Sequence, residues 1–450
     1  MTTHARHDVI VVGARCAGAT LATFLARAGA SVLLLDKDRL PSDQVLSTHT
    51  IHPPGLDVLD EVGVGDAVRA VAPATRLVRL RKNDAVVDIE FSGGRAEYCP
   101  RRARLDALLQ DAAASAGVEV LDRTRVTAVV RDGDRVVGVQ AIGPAGEDHV
   151  FRADLVVGAD GRHSTIARLV EAEEYLAYDA PRAMFWSYWK APAFWRTDPA
   201  YPFGMYVANT DGHIRAIFQT DHDRLLIGSL PSVEEAMAWR TDPDRALIAD
   251  LASDSVTGPL IAGAAPEERV RGTLKERYFF RRSAGSGWTL VGDAGHHKEF
   301  VIGDGITEAL LQARSLAPAI SKGTDAALHR WWRARDVAAL PYFFLGKDEG
   351  ALGPPMKLQQ VVFSHVARTP ALRARMAATI EHQLSPTETF SPGQVLGWTI
   401  GAALRGSPAV ISQFVAMGRR GSAVNRELRL RRQLLAEAEA FEAHARDLHQ

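Results

Sequence analysis

Asp36, Asp160 and Asp293 each follow closely on a short apolar run, and each lies near glycine: Gly13 and Gly18 ahead of the first, Gly161 behind the second, Gly292 directly before the third. A carboxylate that emerges at the C-terminal end of a buried strand stands where open α/β sheets bind ligands, and there it can accept hydrogen bonds from sugar hydroxyls; the alternatives are that Asp160-Gly161 is only a turn and that Asp293 caps its own turn. Glycine turns that lead into helices present unpaired backbone N–H groups and a positive dipole end, which suit phosphate. Two histidines, His49 and His52, form a titratable pair in a loop that also holds Ser47 and Thr48. A loop after a second strand returns toward such a site, so the pair is a candidate for the reactive end of a cofactor. The alternative is that each imidazole bonds backbone within the Pro-rich turn at Pro53-Pro54-Gly55.

The elements that must position these residues are written around them. Asp8 to Asp36 reads DVIVVGARCAGATLATFLARAGASVLLLD. Val9 to Val12 is apolar and β-branched, as a buried parallel strand should be. After the glycine-bounded turn GARCAG, Ala19 to Ala28 is rich in Ala and Leu and predicts a helix, with Gly29 at its C-cap. Ser31 to Leu35 is a second strand, closed by Asp36. This is a βαβ unit of the dinucleotide-binding type. Gly13 permits the tight turn, and Gly18 lets the helix pack close to the strand. Asp36 stands 18 residues beyond Gly18, near the roughly 20 expected of an acid that grips a ribose hydroxyl. The middle glycine of the G-x-G-x-x-G pattern is Arg15, which must either turn away from the phosphates or reach them itself.

Further along, a helix is expected from Leu56 through Val64. Leu77 to Phe91 alternates and breaks at Lys82-Asn83-Asp84, which predicts a hairpin with an exposed Lys82. Pro100 to Ala116 reads as a helix. Val118-Glu119-Val120, Val126 to Val130 and Val136 to Val139 read as strands, the last two joined at Asp132-Gly133-Asp134. Leu155 to Val157 is a strand, Asp160-Gly161 turns, and Ser164 can N-cap a helix that carries Arg168. Tyr175 to Arg271 is crowded with aromatics and reads as a mostly antiparallel sheet. One face of it could wall a hydrophobic pocket, with Trp186, Tyr188, Trp189 and Phe218 as substrate contacts; the alternative is an aromatic core. Thr289 to Val291 is again a strand, and Gly303 and Gly305 precede a helix from Ile306. Beyond Leu316 the chain reads as helical. A terminal helix, Arg426 to Gln450, is expected to pack back on the body through Leu434, Ala438, Phe441, Ala445 and Leu448.

The chain has 450 residues, enough for two or three domains, with 46% hydrophobic and 24% charged residues, the balance of a globular protein. Its net charge of −1 gives no bulk electrostatic case for nucleic acid or an anionic membrane. Cys16 and Cys99 are the two cysteines, so neither a disulfide framework nor a metal cluster is expected. The polar opening MTTHARHD and the lack of a long apolar run predict no signal peptide, no membrane span and a cytoplasmic location.

In their order, the first βαβ motif, then GADGRHSTIAR, then GDAGHHKEFVIGDGI resemble the FAD-dependent monooxygenases built like para-hydroxybenzoate hydroxylase, together with their geranylgeranyl reductase and halogenase branches. The resemblance covers roughly residues 8 to 336. It implies an α/β fold: a Rossmann-like FAD-binding domain over residues 1-75, 98-175 and 270-340, an inserted antiparallel substrate sheet over 76-97 and 176-269, and a helical C-terminal region over 341-450. It implies that Gly13, Arg15, Cys16, Ala17, Gly18, Asp36 and Lys37 hold the ADP part of FAD, with Arg102 and Val126 nearby. Asp160, Gly161 and Arg168 would lie beside the pyrophosphate. Gly292 and Asp293 would hold the ribityl chain, and Gly303, Gly305 and Ile306 the flavin ring. Phe300 stands where many relatives have proline.

The activity implied is oxygenation of a small, largely apolar or aromatic metabolite. NAD(P)H would reduce the flavin, and O2 added at its C4a position would supply the oxygen atom. His52 and His49 are the flavin-side candidates. Rivals are a reductase of the geranylgeranyl type, a halogenase, and a non-enzymatic flavin-bound sensor or carrier. Against the halogenase, Trp186-Ser-Tyr-Trp189-Lys-Ala-Pro192 lacks the W-x-W-x-I-P spacing, although Lys82 could imitate that branch's lysine. The substrate, the choice of NADH or NADPH and the oligomeric state are not encoded in any motif.

Overall fold

A computed structural model of the chain describes residues 2–3, 5–42 and 49–447; Ser47, Thr48 and Leu448 lie outside the described residues. His7–Val12 runs parallel to Val32–Leu35 on one side and to Asp148–Gly158 on the other. Trp288–Leu290 extends this parallel array beyond Asp148–Gly158, and Glu119–Leu121 extends it beyond Val32–Leu35. The strands are apolar on both faces because both faces are covered. Helices Cys16–Arg27, Arg102–Ser115 and Gly305–Ser321 bury Val9, Val11 and Leu34 on one side. The antiparallel strands Arg125–Asp132 and Arg135–Ile142, with helix Thr165–Leu169, bury Ile10, Leu33 and Val156 on the other. Each such fully buried aliphatic contributes about 1.5–3 kcal/mol.

This register matters for function. Asp36, Asp160 and Asp293 follow three strands of one parallel array, so all three leave the sheet at the same edge. The first helix starts at Cys16, three residues earlier than its composition predicts, because Arg15 already has extended backbone and begins the turn.

The hairpin Leu77–Lys82 and Ala85–Glu90 joins the aromatic-rich strands in one seven-stranded sheet, through parallel pairing of Leu77–Lys82 with Met205–Thr210. Alternation along Met184–Lys190 sends Met184, Trp186 and Tyr188 to one face, with Phe218 and Leu226. Phe185 and Trp189 go to the other, among Tyr206, Ile217 and Leu247. Glu174–Asp179 belongs instead to a separate three-stranded sheet with Arg277–Arg281 and His296–His297.

Lys82 is not exposed: at 5% accessibility it pairs with Glu349 and lies over the Phe363 ring. The hairpin tip is capped by the C-terminal helices, which a local pattern does not reveal. The final helix is also longer than expected, Ala409–Asp447, and it packs along Asp325–Glu349. Phe441 does not share in that packing and is 63% exposed.

Candidate functional site

A cleft of about 380 Å3 opens at the edge where the three aspartates leave the sheet. Its floor is the turn from Gly13 into the first helix. Gly13 has φ +107°, and a Cβ there would stand 2.4 Å from the Ala159 carbonyl oxygen. Gly18 faces inward, where a Cβ would meet the Gly13 oxygen at 1.8 Å. It fixes the packing of the helix on the strand and does not line the cleft. Arg15, Cys16, Ala17 and Lys37 do line it. No side chain caps the helix, so its first-turn N–H groups remain available to a ligand.

The three carboxylates are used differently. Asp36 accepts from the Ala14 amide at 2.8 Å and from the Asp38 amide at 2.9 Å, and so ties the glycine turn to the second strand. Asp160 accepts from the Thr165 amide at 2.6 Å and from the Ser164 hydroxyl, while Ser164 caps the Thr165–Leu169 helix as expected. Burial holds the Asp160 carboxyl above its ordinary value despite those donors. Asp293 opens on the cleft, with 42% of its side chain accessible, and meets His297 at 3.4 Å. The protein packed around the cleft would raise it, but His297 and Arg162 hold it below the usual carboxylate range.

Arg15 reaches Asp38 at 2.9 Å while still bordering the cleft. Arg102 forms a two-pronged pair with Asp106, at 3.0 and 3.1 Å, and the Cys16 thiol donates to the same carboxylate. Burial pushes that thiol well up. Val126 and Gly161 complete this end. Arg168 is on the exposed side of its helix and does not reach the cleft; Arg162 and His163, in the same motif, line it instead.

At the other end, Gly303, Gly305 and Ile306 bring the start of helix Gly305–Ser321 to the cleft wall. A Cβ on Gly305 would meet nothing within 4 Å, so this backbone faces open space. Gly292 lies behind, with φ +61° and its amide donating to Gln312 at 2.9 Å.

A titratable run that the sequence motifs did not single out surrounds this end. Burial would lower the His297 imidazole, but Asp293 and, at 3.5 Å, Glu276 lift it to about 9. Lys298 lies between Asp304 and Glu308, the latter at 2.6 Å; burial opposes its charge, and the two carboxylates raise it. Asp304 also meets His382 at 2.9 Å and is held far below its ordinary value against burial. Burial pushes Glu299 up to about 7, with Tyr278 donating to it at 3.0 Å. The signal was present as GHHKE between two glycine turns. It was obscured because charged residues next to glycine read as exposed loop.

Neither candidate histidine lines the cleft. His52 bonds Glu97 through Nδ1 at 2.6 Å, and its amide donates to Thr307 at 2.9 Å. Burial works against its charge, but Glu97 raises it, and with Nε2 turned to the Ile302 carbonyl it is a buried strut behind the Gly303 turn. His49 stacks on Tyr188, with ring centroids 5.9 Å apart, and bonds its hydroxyl. Burial, then Arg102 and Arg101, lower it to about 3, so it is neutral. Thr50, between the two, does reach the cleft.

Of the four aromatic candidates, Trp186, Tyr188 and Phe218 share the sheet face of Met184, which lines the cleft together with Phe300. Trp189 is fully buried on the opposite face, one residue out of phase with Tyr188. Side chains alternate along a strand, so Trp189 cannot face the cleft.

Among curated proteins, the chain is 32% identical over 174 residues to a probable electron transfer flavoprotein-quinone oxidoreductase of Escherichia coli, covering 36% of this chain and 38% of that one. It is 31% identical to a digeranylgeranylglycerophospholipid reductase of Methanosarcina acetivorans, over 36% of this chain and 39% of the relative. It is 33% identical to a 6-methylpretetramide 4-monooxygenase of Streptomyces rimosus, over 37% and 41%. These matches span about two-fifths of the relatives' length. In fold it resembles a flavin-dependent brominase, with TM-score 0.70 and 16% identity over 91% of this chain and 100% of that one. It also resembles p-nitrophenol 4-monooxygenase from Pseudomonas putida, with TM-score 0.70 and 18% identity over 86% and 99%. The FAD binding domain model matches residues 6–326, so the chain belongs to the FAD-binding domain family and is a flavoprotein.

Proposed function

We propose that the chain is an FAD-dependent monooxygenase that uses NAD(P)H and O2 to oxygenate a small, largely apolar or aromatic metabolite. The observation that carries this reading is the continuity of the cleft. It runs from the Gly13 turn and Asp36, past Asp293, to a wall made by Met184 of the aromatic sheet and by Phe300, which packs against that sheet's face. The residues present fit FAD: Gly13 lies where a side chain would collide with the backbone behind it, uncapped helix starts face the cleft, and the Asp293 carboxylate opens into it. When bound, FAD supplies the hydride uptake and oxygen activation.

The chain supplies position and field. The Cys16–Arg27 N-terminus holds the pyrophosphate, Asp36 a ribose hydroxyl, and Asp293 the ribityl chain. The start of Gly305–Ser321, with Lys298 behind it, favours negative charge at the ring end. On this reading residues 1-75, 98-175 and 270-340 carry the cofactor, 76-97 and 176-269 provide the substrate wall, and 341-450 brace it. His49 and His52 act as positioning residues, because each is tied to a buried partner and set back from the cleft.

The relatives' names support oxygenation of an aromatic polyketide in one case and reduction of a prenyl lipid in another. NAD(P)H oxidation measured with and without O2, against a panel of small aromatics and polyketides, separates them. Oxygen uptake coupled to substrate turnover is expected. Substrate-coupled oxidation that proceeds equally without O2 favours the reductase. A halogenase has no support from Lys82, which is buried against Glu349 outside the cleft.

A further inference from the structure

Helices Pro392–Leu404 and Ala409–Asp447 form a hairpin beyond the family match, away from the cleft. Its inner side is a small core in which Val395, Ala402 and Val410 are buried with Leu358. Its outer side is unusual. Leu396, Ile400, Leu404, Ile411 and Val415 are 43%, 51%, 83%, 54% and 48% exposed. Among the described residues, ten large hydrophobics are exposed, and five of them fall in this short stretch. Single exposed aliphatics need no explanation, but a crowd of them marks a contact surface. They gather about the turn: Leu404 and Ile411 flank it, and Ile400, Leu396 and Val415 follow at helical intervals of four.

The charge of the same segment is one-sided. From Ser391 to Arg426 there are four arginines and no Asp or Glu, in a chain whose net charge is −1. Arg420 approaches Asp348 at 3.6 Å; Arg405, Arg419 and Arg426 meet no carboxylate among the described residues. A second copy of the chain fits this surface poorly, because two acid-free faces would set arginine against arginine. A partner that offers both anionic phosphates and an apolar layer answers both features.

We propose that the hairpin tip docks the protein on an anionic phospholipid surface. Leu404, Ile400 and Ile411 enter the boundary of the acyl chains, and Arg405 and Arg419 meet the headgroup phosphates. The attachment is peripheral: no helix among the described residues is long and apolar enough to cross a membrane. The bulk charge of the chain hides this site, because the compensating acids lie elsewhere.

The test is flotation of the full flavin-loaded chain with vesicles of mixed phosphatidylglycerol and phosphatidylcholine, and with phosphatidylcholine alone. The protein should float with the mixed vesicles and detach as salt rises. Ile400→Ser with Leu404→Ser should weaken partition by on the order of tenfold or more, with flavin absorbance and melting temperature unchanged. Arg405→Glu with Arg419→Glu should abolish the preference for the anionic vesicles. Wild type left unbound by the mixed vesicles overturns the proposal, as does a serine variant that floats like wild type. A concentration-dependent dimer dissolved by the same serine substitutions also overturns it, since a second copy would then cover the face.

Discussion

At the Asp36 end of the cleft, the two strand-end carboxylates are spent on backbone amides, Asp36 on Ala14 and Asp38, Asp160 on Thr165 and Ile166, while the arginines there pair with Asp38 and Asp106 set around them. At the Gly303 end the carboxylates are spent on cations: Asp293 on His297, Asp304 on Lys298 and His382, Glu308 on Lys298 and His296. The first arrangement fixes a chain path and presents dipoles whose positions cannot drift. The second surrounds one glycine turn with ionised groups in a dry setting, where each charge depends on its neighbours. The nucleotide end is thus built by geometry and the ring end by field. Substitutions should fail differently at the two.

The harshest break at the geometric end is Gly13→Val. The left-handed φ and a 2.4 Å approach to backbone leave the new side chain no room. Purified protein should carry no flavin and melt far below wild type; a yellow, stable variant would show that the turn can open. The matching break at the field end is Lys298→Met, which leaves Asp304 and Glu308 buried beside each other. Loss of one partner of a buried pair costs about 3–5 kcal/mol. Thermal unfolding should show that loss, partly restored on acidification as a carboxylate takes up a proton. Asp36→Ala should cost less, roughly 1.5–3 kcal/mol of FAD affinity as a charged acceptor is lost. Equal affinity by titration would leave Asp36 a turn residue only.

A pH series sharpens the contrast. His297 lies at about 9, raised from an ordinary 6.5, so its contribution to stability is complete below 6.5 and disappears as pH rises through 9. Glu299 is raised from 4.5 to about 7, so the penalty for its buried carboxylate grows over that interval. Asp293 is lowered, so its contribution is present above 3.8 and disappears on acidification. The ring end should therefore be most stable in mildly acid solution. The melting-temperature gap between wild type and His297→Asn should close above pH 9. A gap that is constant with pH would mean His297 acts by packing.

These two ends also differ in how far they can be read from sequence. The geometric end is legible because its signal is local: an apolar run, a glycine and an acid lie within one βαβ unit. Gly13 and Asp36 both lie where such reading puts them, at the edge of one parallel array. The field end depends on partners distant in sequence. Lys298 looks like loop until Asp304 and Glu308 are seen on either side of it, with His382 beyond Asp304, and His52 looks reactive until Glu97 is seen against it. Lys82 looks exposed until Glu349 arrives from a helix far along the chain. Trp189 illustrates a register effect, since one residue of phase moves a side chain through the sheet.

The smallest expected effect belongs to Arg15, the residue that departs from the glycine pattern. It borders the cleft, as contact with the pyrophosphate would require, yet its guanidinium already pairs with Asp38 at 2.9 Å. Both side chains are partly exposed, at 27% and 41%, and such pairs are worth about 0.2–1 kcal/mol. A phosphate oxygen can replace or share the Asp38 carboxylate, because guanidinium has five donors in a planar fork. The geometric reading assigns the anion site to the uncapped helix start and makes Arg15 an accessory. Arg15→Gly should then weaken FAD binding by only a few-fold, equivalent to about 1 kcal/mol, and more at low salt than at high salt. Asp38→Asn should strengthen binding slightly by releasing the guanidinium. A loss in Arg15→Gly as large as that in Asp36→Ala would move the nucleotide end into the same class as the ring end, governed by charge. Unchanged binding in both Arg15→Gly and Asp38→Asn would leave the backbone amides to hold the phosphates alone.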